Sequence, residues 1–205
     1  MKRQYNRKDH FYHKAKSEGY RSRAAYKLDE LQTKHKIIKP NAKVLDLGCF
    51  PGGWLQVAAQ TVKKNGLVIG IDLKPLEAFS EAESEIVKVI ECDLYHEDLA
   101  RSAINDYYSE KFDVIISDMS PSLSGIKDKD QAESVELFIL ALRYCDLYLK
   151  DNGSFISKIF PSQDMETTFK EHKKNWTSFQ KTTLKSTRTS SNELYVIGKG
   201  FKPKI

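Results

Sequence analysis

The chain has 205 residues, enough for one α/β domain with a full core and too few for two domains of ordinary size. Its three widely spaced cysteines, Cys49, Cys92 and Cys145, argue against a Cys-x-x-Cys metal site and against a disulfide framework, and we expect no bound metal. No apolar run reaches the length of a signal core or a membrane span, which predicts a cytoplasmic protein without a membrane partner.

The net charge of +5 conceals a strong asymmetry along the chain. Residues 1–43 contain 13 Lys and Arg against 4 Asp and Glu, and residues 158–205 contain 10 against 4. Residues 44–157 reverse the balance, with 10 basic residues against 20 acidic ones. Basic ends around an acidic centre suit a protein that holds a polyanion at its edges and a small cation between them. Ordinary solvated helix faces and a loose tail are the alternative explanation.

Short β-branched runs alternate with helix-period segments, which is typical of a parallel sheet covered by helices on both faces. Residues 1–19 are predicted to form a basic arm and residues 20–205 a single domain. In chain order, the pattern predicts a helix at Arg21–His35, a strand at Lys43–Leu47, a helix at Trp54–Val62, strands at Leu67–Leu73 and Ile86–Glu91, a helix at His96–Tyr107, a strand at Asp113–Asp118, a helix at Lys129–Leu149, a strand at Ser154–Ile159, a helix at Met165–Asn175 and strands at Phe179–Leu184 and Leu194–Gly198. The last two strands are predicted to pair antiparallel, and Asn152-Gly153 is interpreted as the end of the preceding helix.

The strongest local signal is the segment Val44–Trp54, in which a buried strand leads through a glycine-rich turn into a helix. Three glycines, Gly48, Gly52 and Gly53, follow the carboxyl end of the strand. Open parallel sheets bind ligands at this edge, and a backbone without side chains lets a ligand come close. The spacing is G-x-x-x-G-G, and the dinucleotide fingerprint G-x-G-x-x-G is absent. A nicotinamide-dependent oxidoreductase is therefore disfavoured.

Two acidic residues follow later strands and refine the choice of ligand. Asp72 is placed to accept both hydroxyls of an adenosine ribose, and Asp93 to accept from an adenine amino group. Either residue alone would be explained equally well as a helix cap. Combined with the glycine turn and the acidic centre, they favour an adenosine ligand that carries positive charge. S-adenosylmethionine (SAM) fits this description, whereas a phosphate-bearing nucleotide would require Lys or Arg in the turn.

Several segments together resemble the FtsJ/RrmJ family of SAM-dependent ribose 2′-O-methyltransferases over nearly the whole chain. The matching segments are 18–28, Leu45–Gly48, Pro51–Trp54, Ile116–Pro121, 155–158 and 190–195. The resemblance implies a Rossmann-like fold with a seven-stranded, mostly parallel sheet whose last strand is antiparallel. It also implies a catalytic tetrad of Lys27, Asp118, Lys158 and Glu193. The SAM contacts it implies are Gly48, Pro51, Gly52, Gly53, Trp54, Asp72, Leu73, Asp93, Leu94 and Asp118. Cys49-Phe50 stands where the family usually has small residues.

The tetrad suits methyl transfer to a ribose hydroxyl, a poor nucleophile that must be aligned with the methyl group and relieved of one proton. Our hypothesis is that Lys158 approaches the attacking oxygen while Asp118 fixes its ammonium group, and that Lys27 and Glu193 orient this pair and the substrate ribose. Considered alone, each residue is also consistent with a non-catalytic role, as a solvated lysine or as a member of an ordinary ion pair. Whether Lys158 acts as a base or stabilises developing charge is left open by the sequence.

The RNA partner is predicted to meet the basic stretch before Lys27. The candidate contacts are Lys14, Lys16, Arg21 and Arg23, with aromatic residues between them on which exposed bases can stack. The family resemblance points first to a uridine in the A loop of large-subunit ribosomal RNA. We expect a monomeric enzyme, although the sequence does not fix the oligomeric state. The alternatives are a methyltransferase that acts on tRNA or on mRNA caps, and a non-catalytic RNA-binding factor of ribosome assembly.

Overall fold

The computed structural model describes residues 10–188 and 191–203, which build one seven-stranded sheet in the order β3-β2-β1-β4-β5-β7-β6. The five strands β3, β2, β1, β4 and β5 are parallel to one another, whereas β7 is antiparallel to both β5 and β6. The strand bounds are Lys43–Leu47 (β1), Leu67–Asp72 (β2), Val87–Glu91 (β3), Phe112–Ser117 (β4), Leu149–Ile159 (β5), Trp176–Thr182 (β6) and Leu194–Phe201 (β7). The predicted α/β fold with an antiparallel last strand is confirmed.

Helices cover both faces of this sheet. Their bounds are His10–Ser17 (α1), Ala25–His35 (α2), Gly53–Val62 (α3), Glu81–Ser84 (α4), Glu97–Asn105 (α5), Lys127–Tyr148 (α6) and Gln163–His172 (α7), with a 3-10 turn at Lys173–Asn175. Successive strand residues point to opposite faces, so Val114 and Ile116 join the core beneath α2 and α3 while Ile115 joins the core beneath α5 and α6. Both faces are therefore buried, which explains the nearly continuous apolar strands.

The end of α6 corrects one sequence prediction. Asn152-Gly153 was expected to end this helix, but α6 ends at Tyr148 and the chain enters β5 at once. Asn152 has a φ of 61° and lies inside β5, where the pairing with β4 shifts from Phe112↔Leu149 to Val114↔Ser154. Asparagine tolerates this left-handed conformation, so the dipeptide forms an irregularity in the strand and not a helix cap.

The N-terminal part of the chain also differs from expectation. Within the segment predicted as a basic arm, His10–Ser17 forms α1, which buries Ala15 and places Phe11 5.5 Å from the ring of Tyr26. Residues 1–9 lie outside the described residues, and the division at residue 19 stays a prediction. Helix α2 begins at Ala25 and not at Arg21, because it is preceded by turns in which the N–H groups of Ala25 and Tyr26 donate to the carbonyls three residues back. In the parts of the chain that the structure describes, no helix is both long and apolar enough to cross a bilayer.

Candidate active site

The carboxyl ends of β1, β2, β3 and β4 open into a cleft of about 360 Å³. The strand order reverses between β1 and β4, and such a switch point is where open α/β sheets bind ligands. Six of the residues predicted to hold SAM line this cleft: Gly48, Asp72, Leu73, Asp93, Leu94 and Asp118. Its other walls, which the sequence prediction missed, include Phe50, Lys74, Tyr95, Met119, Ser120, Leu137 and Leu140.

Gly48 closes the bottom of the cleft where β1 ends. Its φ is 76°, and its N–H donates to the carbonyl of Ile71 at 2.8 Å. A Cβ atom at this position would lie 2.4 Å from Cγ of Met119. Both the backbone conformation and the close approach therefore require glycine here.

The carboxylates of Asp72 and Asp93 shape the turns that border the cleft. Asp72 accepts the N–H of Phe50 at 2.9 Å through Oδ2 and that of Lys74 at 3.0 Å through Oδ1. Asp93 accepts the N–H of Tyr95 at 2.9 Å through Oδ1. Each carboxylate oxygen has more than one lone pair, so these turn contacts leave both residues able to accept hydrogen bonds from a ligand.

A further carboxylate, Asp46, lies one strand position before the glycine turn and is fully buried. Neither of its side-chain oxygens has a hydrogen-bond partner, and burial, followed by the nearby charges of Asp118 and Asp72, raises its pKa well above the usual value. The sequence analysis did not single out Asp46. The available signal was its position, because an acidic residue in the middle of an otherwise apolar strand is rarely buried unless it has a structural or functional role.

The residues of this cleft fit SAM. Its acidic groups, Asp72, Asp93 and Asp118, border walls that are otherwise largely apolar, as an adenosine with a cationic side chain requires. The four remaining predicted contacts, Pro51, Gly52, Gly53 and Trp54, do not line the cleft. Pro51, Gly53 and Trp54 border a much smaller adjoining pocket, and the indole of Trp54 donates to the carbonyl of Ala24 at 2.9 Å.

The four predicted catalytic residues are brought together beside this cleft as two ion pairs. Nζ of Lys158 lies 3.2 Å from Oδ1 of Asp118 and donates to the Asp118 backbone carbonyl at 2.6 Å. Lys27, on α2, forms an ion pair with Glu193, and both side chains are largely buried. Lys158 is directly opposite Tyr195 in the pairing of β5 with β7.

Tyr195 connects the two ion pairs and was missed by the sequence analysis. Its hydroxyl donates to Oδ1 of Asp118 at 3.0 Å, and Nζ of Lys27 lies 5.8 Å from the centre of its ring. Burial alone would raise the pKa of Asp118, but the charges of Lys158 and Lys27 and hydrogen bonds from Tyr195 and Lys158 outweigh it and hold this pKa below its usual value. Asp118 is therefore an ionised carboxylate at neutral pH.

Glu193 is fixed by the loop that precedes β7. Its carboxylate accepts hydrogen bonds of 3.1 Å from the hydroxyls of Thr187 and Ser191. The same loop is attached to α2, because the carboxylate of Glu30 accepts from Lys185 N, Ser186 N and Ser186 Oγ at 2.8 to 2.9 Å. Helix α2 therefore carries Lys27 and also positions the loop that holds its partner.

The four candidate RNA contacts divide into two kinds. Lys14 and Lys16 are exposed on α1, where Lys14 pairs loosely with Glu18 at 3.8 Å. The guanidinium groups of Arg21 and Arg23 make contacts within the protein: Arg21 donates to the carbonyls of residues 77 and 78, and Arg23 donates to the carbonyl of Ser186.

The doubly wound fold, the acidic cleft at its switch point and the lysine-aspartate pair beside it define the class of Rossmann-like, SAM-dependent methyltransferases. The chain belongs to the FtsJ-like methyltransferase family, whose model matches residues 20–201. In the described part of the chain, no group of His, Cys, Asp and Glu has an arrangement that could hold a metal ion.

Similar proteins carry more specific names. The chain is 41% identical over 195 residues to the ribosomal RNA large subunit methyltransferase E of Syntrophobacter fumaroxidans, covering 95% of this chain and 96% of that protein. It is 38% identical over 198 residues to the protein of the same name from Methanothermobacter thermautotrophicus, covering 97% and 92%. Among solved structures, a Plasmodium falciparum protein described as a candidate ribosomal RNA methyltransferase matches with a TM-score of 0.77 and 28% identity, covering 90% of this chain and all of that one.

Proposed function

We propose that this protein transfers the methyl group of SAM to a ribose 2′-hydroxyl in large-subunit ribosomal RNA, with a uridine of the A loop as the target. The observation that carries the proposal is the buried pair of Lys158 and Asp118, held by Tyr195 at the edge of the acidic cleft. Two relatives that match this chain over more than nine-tenths of their own length are named as methyltransferases of large-subunit ribosomal RNA. We further propose that the enzyme acts as a cytoplasmic monomer.

The tetrad residues supply positioning and charge for this reaction. An ammonium group has three N–H donors, and Lys158 directs two of them at the carboxylate and carbonyl of Asp118. These two contacts hold the Lys158 side chain in place, and we assign it the role of stabilising negative charge on the attacking oxygen with its third N–H. Lys27 and Glu193 flank this position and orient the ribose.

The chemical step needs little else from the protein. Bound SAM supplies a methyl group that is already activated by the adjacent sulfonium. The chain's residues would align the hydroxyl oxygen with that carbon. Transfer would break the sulfur–carbon bond of the sulfonium, leave the demethylated thioether and release the hydroxyl proton to solvent. Lys14 and Lys16, both exposed on α1, are proposed to bind RNA phosphates outside the catalytic centre.

The test uses SAM labelled in its methyl group with four substrates offered separately: large ribosomal subunits, small subunits, tRNA and capped mRNA. We expect label only in the large subunit, at an alkali-resistant linkage next to a uridine of the A loop, and none with the K158M variant. Label in tRNA or cap instead would contradict the ribosomal target. SAM binding without methylation of any of the four RNAs would favour a non-catalytic assembly factor.

A further inference from the structure

Arg21 lies where the segment before α2 meets the β1–α3 turn and the β2–β3 loop. Its Nη1 donates to the carbonyl of Glu77 at 2.7 Å and its Nη2 to the carbonyl of Ala78 at 2.6 Å. The guanidinium also lies over the ring of Phe79, with Cζ 3.8 Å from the ring centre. One side chain thus holds three consecutive residues of the β2–β3 loop by two hydrogen bonds and a cation–π contact.

The first turn of α3 is built to admit this side chain. Gly52 caps the helix with a φ of 104°, and a Cβ atom there would lie 2.8 Å from Cδ of Arg21 and 3.3 Å from the ring of Phe79. The backbone of residue 21 is held separately, because its N–H donates to Gln56 Oε1 at 2.8 Å. The bare backbone of Gly52 therefore serves the packing of Arg21, and removing the Arg21 side chain leaves its backbone attached to α3.

The loop that Arg21 holds begins in the cofactor cleft. Leu73 and Lys74 line the cleft, and Asp72 accepts the N–H groups of Phe50 and Lys74. Leu73 is 65% exposed, and residues 74, 75, 77 and 78 are also exposed, so the loop has few apolar contacts of its own to fix it. Leu76 and Phe79 of the loop pack against the core beneath α2 and α3, and Arg21 adds two hydrogen bonds at the far end. A loop with few buried contacts opens readily once such a restraint is removed.

We propose that Arg21 is a positioning residue for the methyl donor: it holds the β2–β3 loop against α3 and so keeps Asp72, Leu73 and Lys74 in the conformation that binds SAM. This inference rests on the proposed function, since it assumes that the cleft holds SAM. It replaces the expectation from sequence that Arg21 is an RNA contact, because both terminal nitrogens of the guanidinium are already directed at carbonyl groups of the protein.

The experiment measures SAM binding by calorimetry and the two KM values separately, on the full chain. In R21A, we expect the Kd and KM for SAM to rise about tenfold, which corresponds to the loss of one charge-assisted hydrogen bond, while the KM for large ribosomal subunits stays within about twofold. The amides of residues 77–79 are expected to exchange faster with solvent in R21A. An unchanged Kd for SAM, or a rise confined to the KM for RNA, would overturn the proposal.

Three further variants separate the loop contact from charge and from folding. R21K keeps the charge but has no planar group that donates to both carbonyls at once, so most of the loss of SAM affinity should remain. Wild-type SAM affinity in R21K would refute the role of the two guanidinium hydrogen bonds. K64Q removes the charge of an exposed lysine that follows α3, outside the cleft, and should leave the Kd for SAM unchanged; an equal rise there would point to a general charge effect. If R21A does not fold, F79L removes the ring beneath the guanidinium and should weaken SAM binding severalfold, or the proposal fails. A wild-type chain that binds no SAM would instead refute the proposed function itself.

Discussion

Tyr195 donates its hydroxyl to Asp118 across the width of one strand: Asp118 follows β4, Tyr195 lies on β7, and β5 with Lys158 runs between them. Because Lys158 is the pairing partner of Tyr195, these three side chains occupy neighbouring places across the sheet. The central charge pair is therefore set by strand register and not by a flexible loop. A site built on paired strands is held more closely than one built on loops.

The Y195F variant should lower kcat about fivefold, because it removes one hydrogen bond of ordinary strength from the carboxylate that holds Lys158. The hydrogen bond lowers the pKa of Asp118, so its loss should raise that pKa. A carbon-13 titration of the Asp118 carboxyl checks the direction. Y148F, which changes a tyrosine on α6 in the other core cluster, is the control, and an equal effect on kcat there would contradict a specific role for Tyr195.

The K158M variant should abolish methylation and lower the free energy of unfolding by about 3 kcal/mol, since it leaves a largely buried carboxylate without its cation. Asp118 has a lowered folded-state pKa, so it contributes stability above its unfolded pKa near 4, and this contribution is lost as the pH falls through the folded value. The penalty of K158M, measured by urea unfolding, should therefore shrink at low pH. K158M/D118N should recover stability without activity; a double variant as unstable as K158M would contradict this account.

The E30A variant should release the loop that positions Glu193. Burial by itself would raise the pKa of Glu30, but its hydrogen bonds with Lys185 and Ser186 lower it, so the ionised carboxylate is the form that holds the loop. We expect a lower kcat, unchanged affinity for SAM, and faster amide exchange at Lys185 and Ser186. D29A, at an exposed neighbouring position on α2, is the matched control. If the amides of Lys185 and Ser186 exchange at the wild-type rate in E30A, then Glu30 does not hold this loop.

Replacing Lys14 and Lys16 with glutamine should raise the KM for large ribosomal subunits and reduce the slope of log affinity against log salt by about one for each phosphate that the lysines no longer bind. SAM affinity should not change. The control is K63Q/K64Q, which removes two exposed lysines that follow α3 near the opposite, amino-terminal edge of the parallel strands. If both double variants change the slope equally, the effect is one of net charge and α1 does not bind RNA.

The fold was largely predictable because its signals are local. Strand β1 matches its predicted bounds, since a buried apolar run between polar turns has one simple interpretation. The irregularity at Asn152-Gly153 was missed because the dipeptide suits a helix end and a strand bulge equally well, and only the pairing with β4 decides between them. Helix α1 was missed because its sequence is polar, and its stability depends on contacts such as Phe11 with Tyr26.

The site was predictable to the extent that its residues sit in recognisable segments. The tetrad came from the family resemblance, and the acids Asp72 and Asp93 came from their places after strands. Tyr195 carries no such signal, because a tyrosine in a strand is ordinary and its partner is fixed by the register of β5 with β7. Arg21 looks like any basic residue near a nucleic-acid site until the approach of the β2–β3 loop is known.

The cleft and the charge cluster beside it draw on different parts of the chain. Every residue lining the cofactor cleft precedes residue 141, whereas Lys158, Glu193 and Tyr195 all come later. During synthesis, the residues that line the cleft are therefore made first, and Lys158, Glu193 and Tyr195 join Lys27 and Asp118 later. Strand β7 lies between β5 and β6, so the last strand to be made completes the sheet and brings Tyr195 to the pair of Lys158 and Asp118. Truncation after α6 would therefore keep every residue that lines the cleft while removing three of the five residues of the charge cluster beside it.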